Sequence, residues 1–409
     1  MTAVPSLAEF SAAAESLSGV ISHTPTELSR ALSDIVGAPV LLKMENLQRT
    51  GSFKIRGATY RLAQLTAEER SRGVVAASAG NHALGVALAA QSLGIPATIF
   101  MPLGVPVPKL LATRGYGAEV VLEGETVATS LRLAAEFAER TGAVLIPPFN
   151  HRDVIIGQGT LGLEIFQDVP DVDTVIMGIG GGGLIAGVAA AIKQAAAEAG
   201  RTVRVIGVQA ENAAAVPPSL QAGEPVEITT HPTIADGILV ARPGDIPFEI
   251  IQELVDEVVT VTEDDIARAL LVLLEHAKVV VEPAGAVGVA AILAGKVKGT
   301  GKTVPILSGG NIDPMLLQRV VSHGLAASGR YATVRIALPD RPGQLAKVSE
   351  ILAQVGANVM EVLHTRHGHG LQISEMILQL SIETRGPEHT QLALDTLRAA
   401  GFEPEIVAD

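Results

Sequence analysis

Between Val40 and Met315, short β-rich runs alternate with alanine-rich helical stretches, and this alternation leaves the chain few architectures. Such runs include Gly73–Ala77, Ala97–Met101, Glu119–Leu122, Ala143–Ile146, Thr174–Met177, Val203–Val208 and Thr303–Leu307. Apolar strands separated by helices are the strands of parallel sheets covered on both faces. The expected class is therefore α/β. A chain of 409 residues exceeds what one core serves, so two or three domains are expected. Its 48% hydrophobic and 18% charged residues supply a large core and argue against disorder.

Composition also removes several functions. The formal net charge is −13 and no run of Lys and Arg occurs, which argues against nucleic-acid binding. Cysteine is absent, so no disulfide or thiolate metal site exists. The segment Met1–Ser6 lacks the pattern of a signal peptide, and apolar helices such as Leu184–Ala191 are short. A cytoplasmic location with no membrane partner is the expectation.

Four segments carry chemistry. Lys54 lies in Gly51-Ser52-Phe53-Lys54-Ile55-Arg56-Gly57-Ala58, at the start of a helical stretch to Leu65. A helix-start lysine ordinarily points to water. Packed against apolar neighbours it holds its proton less tightly, and a neutral amine attacks an aldehyde to form a Schiff base. Ser78-Ala79-Gly80-Asn81-His82-Ala83 joins a strand to a helix, where small residues and unpaired N–H groups suit a carboxylate. Asn81 either caps that helix or holds a ring oxygen. Gly178-Ile179-Gly180-Gly181-Gly182-Gly183-Leu184 links a strand to a helix running to about Ala199, the setting of a phosphate site. Ser308-Gly309-Gly310-Asn311 follows a strand and precedes a helix from Pro314. A hydroxyl at Ser308 bonds a pyridine nitrogen without forcing its protonation; the bland alternative is a capping serine. Gly178, Gly180 and Gly183 also fit a dinucleotide fingerprint, but Glu211 lies late for the ribose contact and Lys54 would be unexplained.

Together these segments resemble the fold-type II pyridoxal-phosphate enzymes, and among them the threonine dehydratases (threonine ammonia-lyases). Gly157-Gln158-Gly159-Thr160, Asp236-Gly237-Ile238 and Glu282-Pro283-Ala284-Gly285-Ala286 add to the likeness, which spans about residues 15 to 323. The resemblance implies a tryptophan-synthase-β-like domain over 1–323, with a small subdomain of about 50–150 inserted and pyridoxal 5'-phosphate held between the lobes. It implies Lys54 as the Schiff-base lysine. Phe53, Asn81, Gly180, Gly181, Gly182, Gly183, Leu184, Glu282 and Ser308 would line the cofactor. Ser78, Ala79, Gly80, Asn81 and His82 would meet the substrate. The implied reaction dehydrates and deaminates L-threonine, and L-serine, to 2-oxobutanoate or pyruvate and ammonia. Related serine racemases carry a second serine where Ala79 stands, so racemisation is disfavoured. Relatives that bind a divalent ion use carboxylates where this chain has Gln209-Ala210-Glu211-Asn212-Ala213-Ala214-Ala215, so no tight divalent metal site is expected, a weakly held monovalent ion being left open. A nicotinamide dehydrogenase and a non-enzymatic amino-acid sensor are the rival classes; serine racemase and hydroxyaspartate dehydratase are the sister readings.

Beyond a linker at 324–330 the pattern changes. Strand Tyr331–Leu338, helix Gln344–Val355, strands Asn358–His367 and Gln372–Glu383, helix Glu388–Ala400 and strand Glu403–Val407 give βαββαβ, a ferredoxin-like order. Asp340-Arg341-Pro342-Gly343-Gln344-Leu345 with Gly356-Ala357-Asn358-Val359 resembles an ACT domain over 331–409. That likeness implies pairing between copies, as a homodimer or homotetramer. It also implies an effector site lined by Asp340, Gly343 and Asn358, with a branched-chain amino acid as candidate ligand. His364, His367 and His369 suggest a metal, but no cysteine or acid accompanies them and a solvated hairpin is the better reading.

Overall fold

The computed structural model describes residues 4–297, 301–327, 329–366 and 374–407. It divides into two compact units, one up to Pro314 and one from Met315 on. The change falls within one helix, Pro314–Ala327, nine residues before the end expected for the first domain from sequence.

The first unit opens with helix α1 (Leu7–Leu17), strand β1 (Thr26–Leu28), helix α2 (Arg30–Val36) and strand β2 (Leu41–Lys43). Helices α3 (Lys54–Ala63) and α4 (Ala67–Arg72) lead into β3 (Val74–Ala77), α5 (Asn81–Leu93), β4 (Ala97–Met101), α6 (Val107–Gly115), β5 (Glu119–Leu122), α7 (Val127–Thr141) and β6 (Val144–Leu145). These four strands form one parallel sheet in the order β5-β4-β3-β6. After α8 (Arg152–Asp168) come β7 (Thr174–Gly178), α9 (Gly183–Glu198), β8 (Arg204–Ala210), α10 (Val216–Ala222), α11 (Asp245–Leu254), β9 (Glu257–Val261), α12 (Glu263–Val272), α13 (Pro283–Leu293) and β10 (Thr303–Pro305). They build a second parallel sheet, β10-β7-β8-β9. The central strands β3 and β7 are buried throughout, as the apolar runs predict.

Glycine lets three helices approach closely. A Cβ on Gly157 of α8 would sit 2.6 Å from the Cα of Gly57 in α3, and one on Gly187 of α9 would sit 2.3 Å from the Ile155 carbonyl of α8. The side-chain Oε1 of Gln158 accepts the Gly57 N–H at 3.2 Å. The Gly157-Gln158-Gly159-Thr160 motif thus packs helices and holds α3 in place.

A buried ionic network secures the same helix. Arg56, wholly buried, donates to Glu45 from Nε and Nη2 and to Glu164 from Nη2, each at 2.8 Å. Lys43, equally buried, bonds Glu164 at 2.8 Å and Asp168 at 2.9 Å. The paired carboxylates raise the Arg56 pKa against the opposing pull of burial. Nothing in the sequence pattern singled out these residues.

The second unit begins with α14 (Pro314–Ala327) and continues as β11 (Tyr331–Pro339), α15 (Gln344–Gln354), β12 (Asn358–Thr365), β13 (Glu375–Glu383), α16 (Pro387–Ala399) and β14 (Pro404–Val407). Its antiparallel sheet runs β12-β13-β11-β14, the ferredoxin-like order. Met376, Leu378, Leu380 and Ile382 alternate into its core with Val334, Ile336, Val348 and Leu394. His364 ends up in β12, whereas His367 and His369 lie outside the described residues.

Candidate active site

The chemistry-bearing loops of the first unit leave the C-terminal ends of β3, β7 and β10. Clefts outside the carboxyl ends of parallel strands are where open α/β sheets bind ligands. Lys54 opens α3, whose N-cap Phe53 supplies no side-chain bond. The Lys54 ammonium donates to the Pro148 carbonyl at 3.0 Å and stands 5.2 Å from the Phe53 ring centre. Burial lowers its pKa to about 8, while the negative charge of Glu282 opposes the shift. Gly85 of α5 lets that helix pass over Lys54; a Cβ there would lie 3.1 Å from the Lys54 carbonyl carbon.

Asn81 does not cap α5. The cap position is Gly80, with no side-chain bond, and Asn81 turns into a polar cluster instead. Its Nδ2 donates to Glu282 Oε1 at 2.6 Å, and its Oδ1 accepts from Asn311 Nδ2 at 2.8 Å. Glu282 is buried, and its pKa is pushed up to about 7 by desolvation and then by the charge of Asp236. His82 is buried and its Nε2–H donates to the Ile146 carbonyl at 2.8 Å. Burial, and next the Lys54 charge, drop its pKa to about 3, so it stays neutral and its ring fixes the β6 loop rather than carrying protons.

Gly180 to Leu184 form a cradle at the start of α9. Gly182 has φ +95° and no side chain caps the helix, so its first N–H groups remain open to an anion. A Cβ on Gly181 would lie 2.4 Å from the Phe149 ring, and one on Gly183 would lie 2.9 Å from Phe149 Cβ. The glycine run is thus required by the close approach of Phe149 as well as by any phosphate. Ser308 is buried, and its carbonyl accepts the Phe53 N–H at 3.1 Å, tying its loop to the lysine loop. Gly309 bridges to Ser52, and a Cβ on it would fall 2.2 Å from Glu282 Oε1. Ser52, fully buried, has a hydroxyl without a hydrogen-bond partner.

Lys54, Asn81, His82, Glu282 and the Ser308 loop therefore converge. Ser78 and Gly80 join them through the same strand end, where Gly80 donates to the Ser78 hydroxyl at 3.1 Å. Pattern reasoning missed Pro148, Phe149 and Lys109. The first two follow β6, and their position at a strand end was the available signal. Lys109 of α6 faces Asp236 at 3.7 Å, a contact across the two lobes that no local spacing reveals.

In the second unit the three expected effector residues do not meet within one chain. Asp340 donates its N–H to the Ser374 carbonyl and pairs with Arg366 at 3.1 Å. Asn358 pairs in register with Glu383, at the other end of β13. Nine residues of strand separate those points, roughly 30 Å. Gly343 has φ +89° and opens α15 beside Asp340. A groove of about 530 Å³ between α15 and Phe402 is lined by none of the three.

A lysine whose pKa burial lowers, an open helix start and parallel sheets give this α/β chain a cleft with the groups of an enzyme site. Comparison with known proteins agrees. The chain belongs to the pyridoxal-phosphate dependent enzymes, whose family description matches residues 17–309, and it carries an ACT domain at residues 332–401. It is 48% identical over 402 residues to an L-threonine ammonia-lyase of Thermotoga maritima, covering 98% of this chain and 99% of that one. It also matches the processed form of threonine deaminase isoform 2 from Solanum lycopersicum at 39% identity and TM-score 0.73, covering 78% of this chain and 93% of that one. Maize serine racemase matches at 35% identity and TM-score 0.74, over 79% of this chain and 99% of that one. Among the described residues no helix is long and apolar enough to cross a membrane.

Proposed function

We propose that this chain deaminates L-threonine, and L-serine, by expelling the β-hydroxyl as water, after which the released enamine tautomerises and takes water back to give 2-oxobutanoate or pyruvate and ammonia, under control of an amino acid bound by its ACT domain. The observation that carries the reading is the placement of the Lys54 amine, 3.0 Å from the Pro148 carbonyl, inside a cleft whose residues suit pyridoxal phosphate. The glycine cradle leaves N–H groups for a phosphate, the Ser52 hydroxyl lacks a partner, and Asn81 and Ser308 bring hydrogen-bonding groups toward a ring. The full-length likeness to an L-threonine ammonia-lyase supports the substrate assignment.

Pyridoxal phosphate supplies the electron sink for a carbanion at Cα of an amino acid. The chain's residues do the rest. Gly180 to Leu184 would hold the phosphate, Phe53, Asn81, Glu282 and Ser308 would line the ring, and Lys54 would be the attachment amine. Ser78, Ala79, Gly80, Asn81 and His82 bind the substrate carboxylate through the open N–H groups at the start of α5. Lys54, once released, takes the Cα proton as general base. The Ser308 hydroxyl, unlike a carboxylate, would bond the ring nitrogen of the bound cofactor without forcing its protonation, a setting that suits elimination. Ala79 brings no proton to the opposite face, so elimination outruns racemisation. Asp340 and Gly343 of one copy, with Asn358 of another, form the effector site in a dimer or tetramer. Borohydride reduction followed by peptide mass spectrometry should place the cofactor on Lys54; an adduct elsewhere sinks the mechanism. Assay of 2-oxo acid release from threonine and serine tests the substrate, and D-serine formation from L-serine tests the racemase alternative.

A further inference from the structure

Asn81 and Asn311 form a hydrogen-bond relay whose direction is set by a backbone carbonyl. The Thr50 carbonyl can only accept, so the atom of Asn311 lying 2.7 Å from it is the amide nitrogen. The same nitrogen lies 2.8 Å from Asn81, and its second hydrogen therefore requires an acceptor there, Oδ1. The other end of Asn81 must then be its NH2 group. One of its two hydrogens goes to Glu282 at 2.6 Å. One remains.

Two glycines make room for this chain of bonds. A Cβ on Gly51, at φ +71°, would sit 2.4 Å from the Asn311 amide oxygen, and a Cβ on Gly309 would sit 3.1 Å from Asn81 Nδ2. Thr50 is itself buried, so the carbonyl that starts the relay is held in place.

We infer that Asn311 is a positioning residue: it locks Asn81 so that a single N–H, and never the carbonyl, is offered to the ring oxygen of the cofactor, favouring the anionic form of that oxygen. The inference rests on the reading above that Asn81 meets the ring. Asn311 touches neither cofactor nor substrate in this account; it acts through Asn81.

The test compares Asn311→Asp, which keeps the shape and removes both donors, with Asn81→Ala. Pyridoxal phosphate affinity of each apoprotein and the absorbance spectrum of each holoprotein are measured, with thermal unfolding as a control. Asn311→Asp should weaken cofactor binding about tenfold and move absorbance toward the shorter-wavelength band of the uncharged ring hydroxyl, as Asn81→Ala does. A wild-type spectrum for Asn311→Asp beside a shifted one for Asn81→Ala overturns the relay while leaving the site assignment intact. Wild-type spectra for both overturn the assignment of Asn81 and the relay with it. Should Asn311→Asp not fold, Asn311→Ser keeps one donor and should give a smaller shift in the same direction; lower thermal stability with an unchanged spectrum means a purely structural role and overturns the proposal.

Discussion

The first unit brings its candidate site residues together within one chain, whereas the second distributes its expected ligand residues over opposite ends of a sheet. Around Lys54 the loops are drawn together by backbone contacts, buried ion pairs and glycine-packed helices. Among the described residues, the charged side chains that pair with Asp340 and Asn358 are the exposed or half-buried Arg366 and Glu383. The contrast suits the two tasks: chemistry needs groups held in fixed positions, while regulation needs a site that depends on assembly.

The sharpest way to break the comparison is at Lys54. Lys54→Ala should lower 2-oxo acid release about 10⁴-fold or more, since both the attachment amine and the general base are lost. Titration calorimetry with a branched-chain amino acid should find effector binding unaltered. Residual activity above about one per cent would mean another amine does this work.

The ion pairs offer the next contrast. Arg56→Ala leaves Glu45 and Glu164 buried without their cation and should cost about 3–5 kcal/mol of stability in the first unit. Arg366→Ala breaks a pair in which Arg366 is 56% and Asp340 38% exposed, and should cost under about 1 kcal/mol. Denaturant unfolding of the two variants measures both. Equal costs would erase the distinction between a buried scaffold and a loose one.

Much of the first unit could be read from sequence because strand-glycine-helix junctions repeat locally. The runs expected at Gly73–Ala77, Thr174–Met177 and Thr303–Leu307 did become strands, Val74–Ala77, Thr174–Gly178 and Thr303–Pro305, whose loops form the cleft. The Arg56 network could not be read, because Glu45 and Glu164 lie far apart in the chain and no spacing links them. Nor could the reason for the glycine run: Phe149 excludes side chains at Gly181 and Gly183, and Ile251 with Pro247 does so at Gly182. In the second unit the element order was legible, yet only the strand register shows that Asn358 and Asp340 lie apart.

Lys54 also makes a pH prediction. With its pKa lowered to about 8, the neutral amine rises from about 1% at pH 6 to about half at pH 8. Capture of pyridoxal phosphate by apoprotein, followed by absorbance, should therefore quicken about fifty-fold over that interval and level off above it. A plateau reached only above pH 10 would mean that the amine is held in an ordinary aqueous setting.

The smallest expected effect concerns how the second unit is completed. Edge strand β12 presents Met360, Val362 and Leu363 at 58%, 41% and 56% exposure, an apolar edge of the kind that pairs with another strand. If a second copy pairs there, Asn358 of each chain is carried toward the Asp340 loop of the other, and the separation seen within one chain disappears. Leu363→Glu should then lower the assembly state in sedimentation velocity and weaken effector binding about tenfold, while the rate without effector stays within about a factor of two. The joint measurement discriminates: an effector that binds a dissociated variant as tightly as the parent would show that the ACT unit completes its site alone.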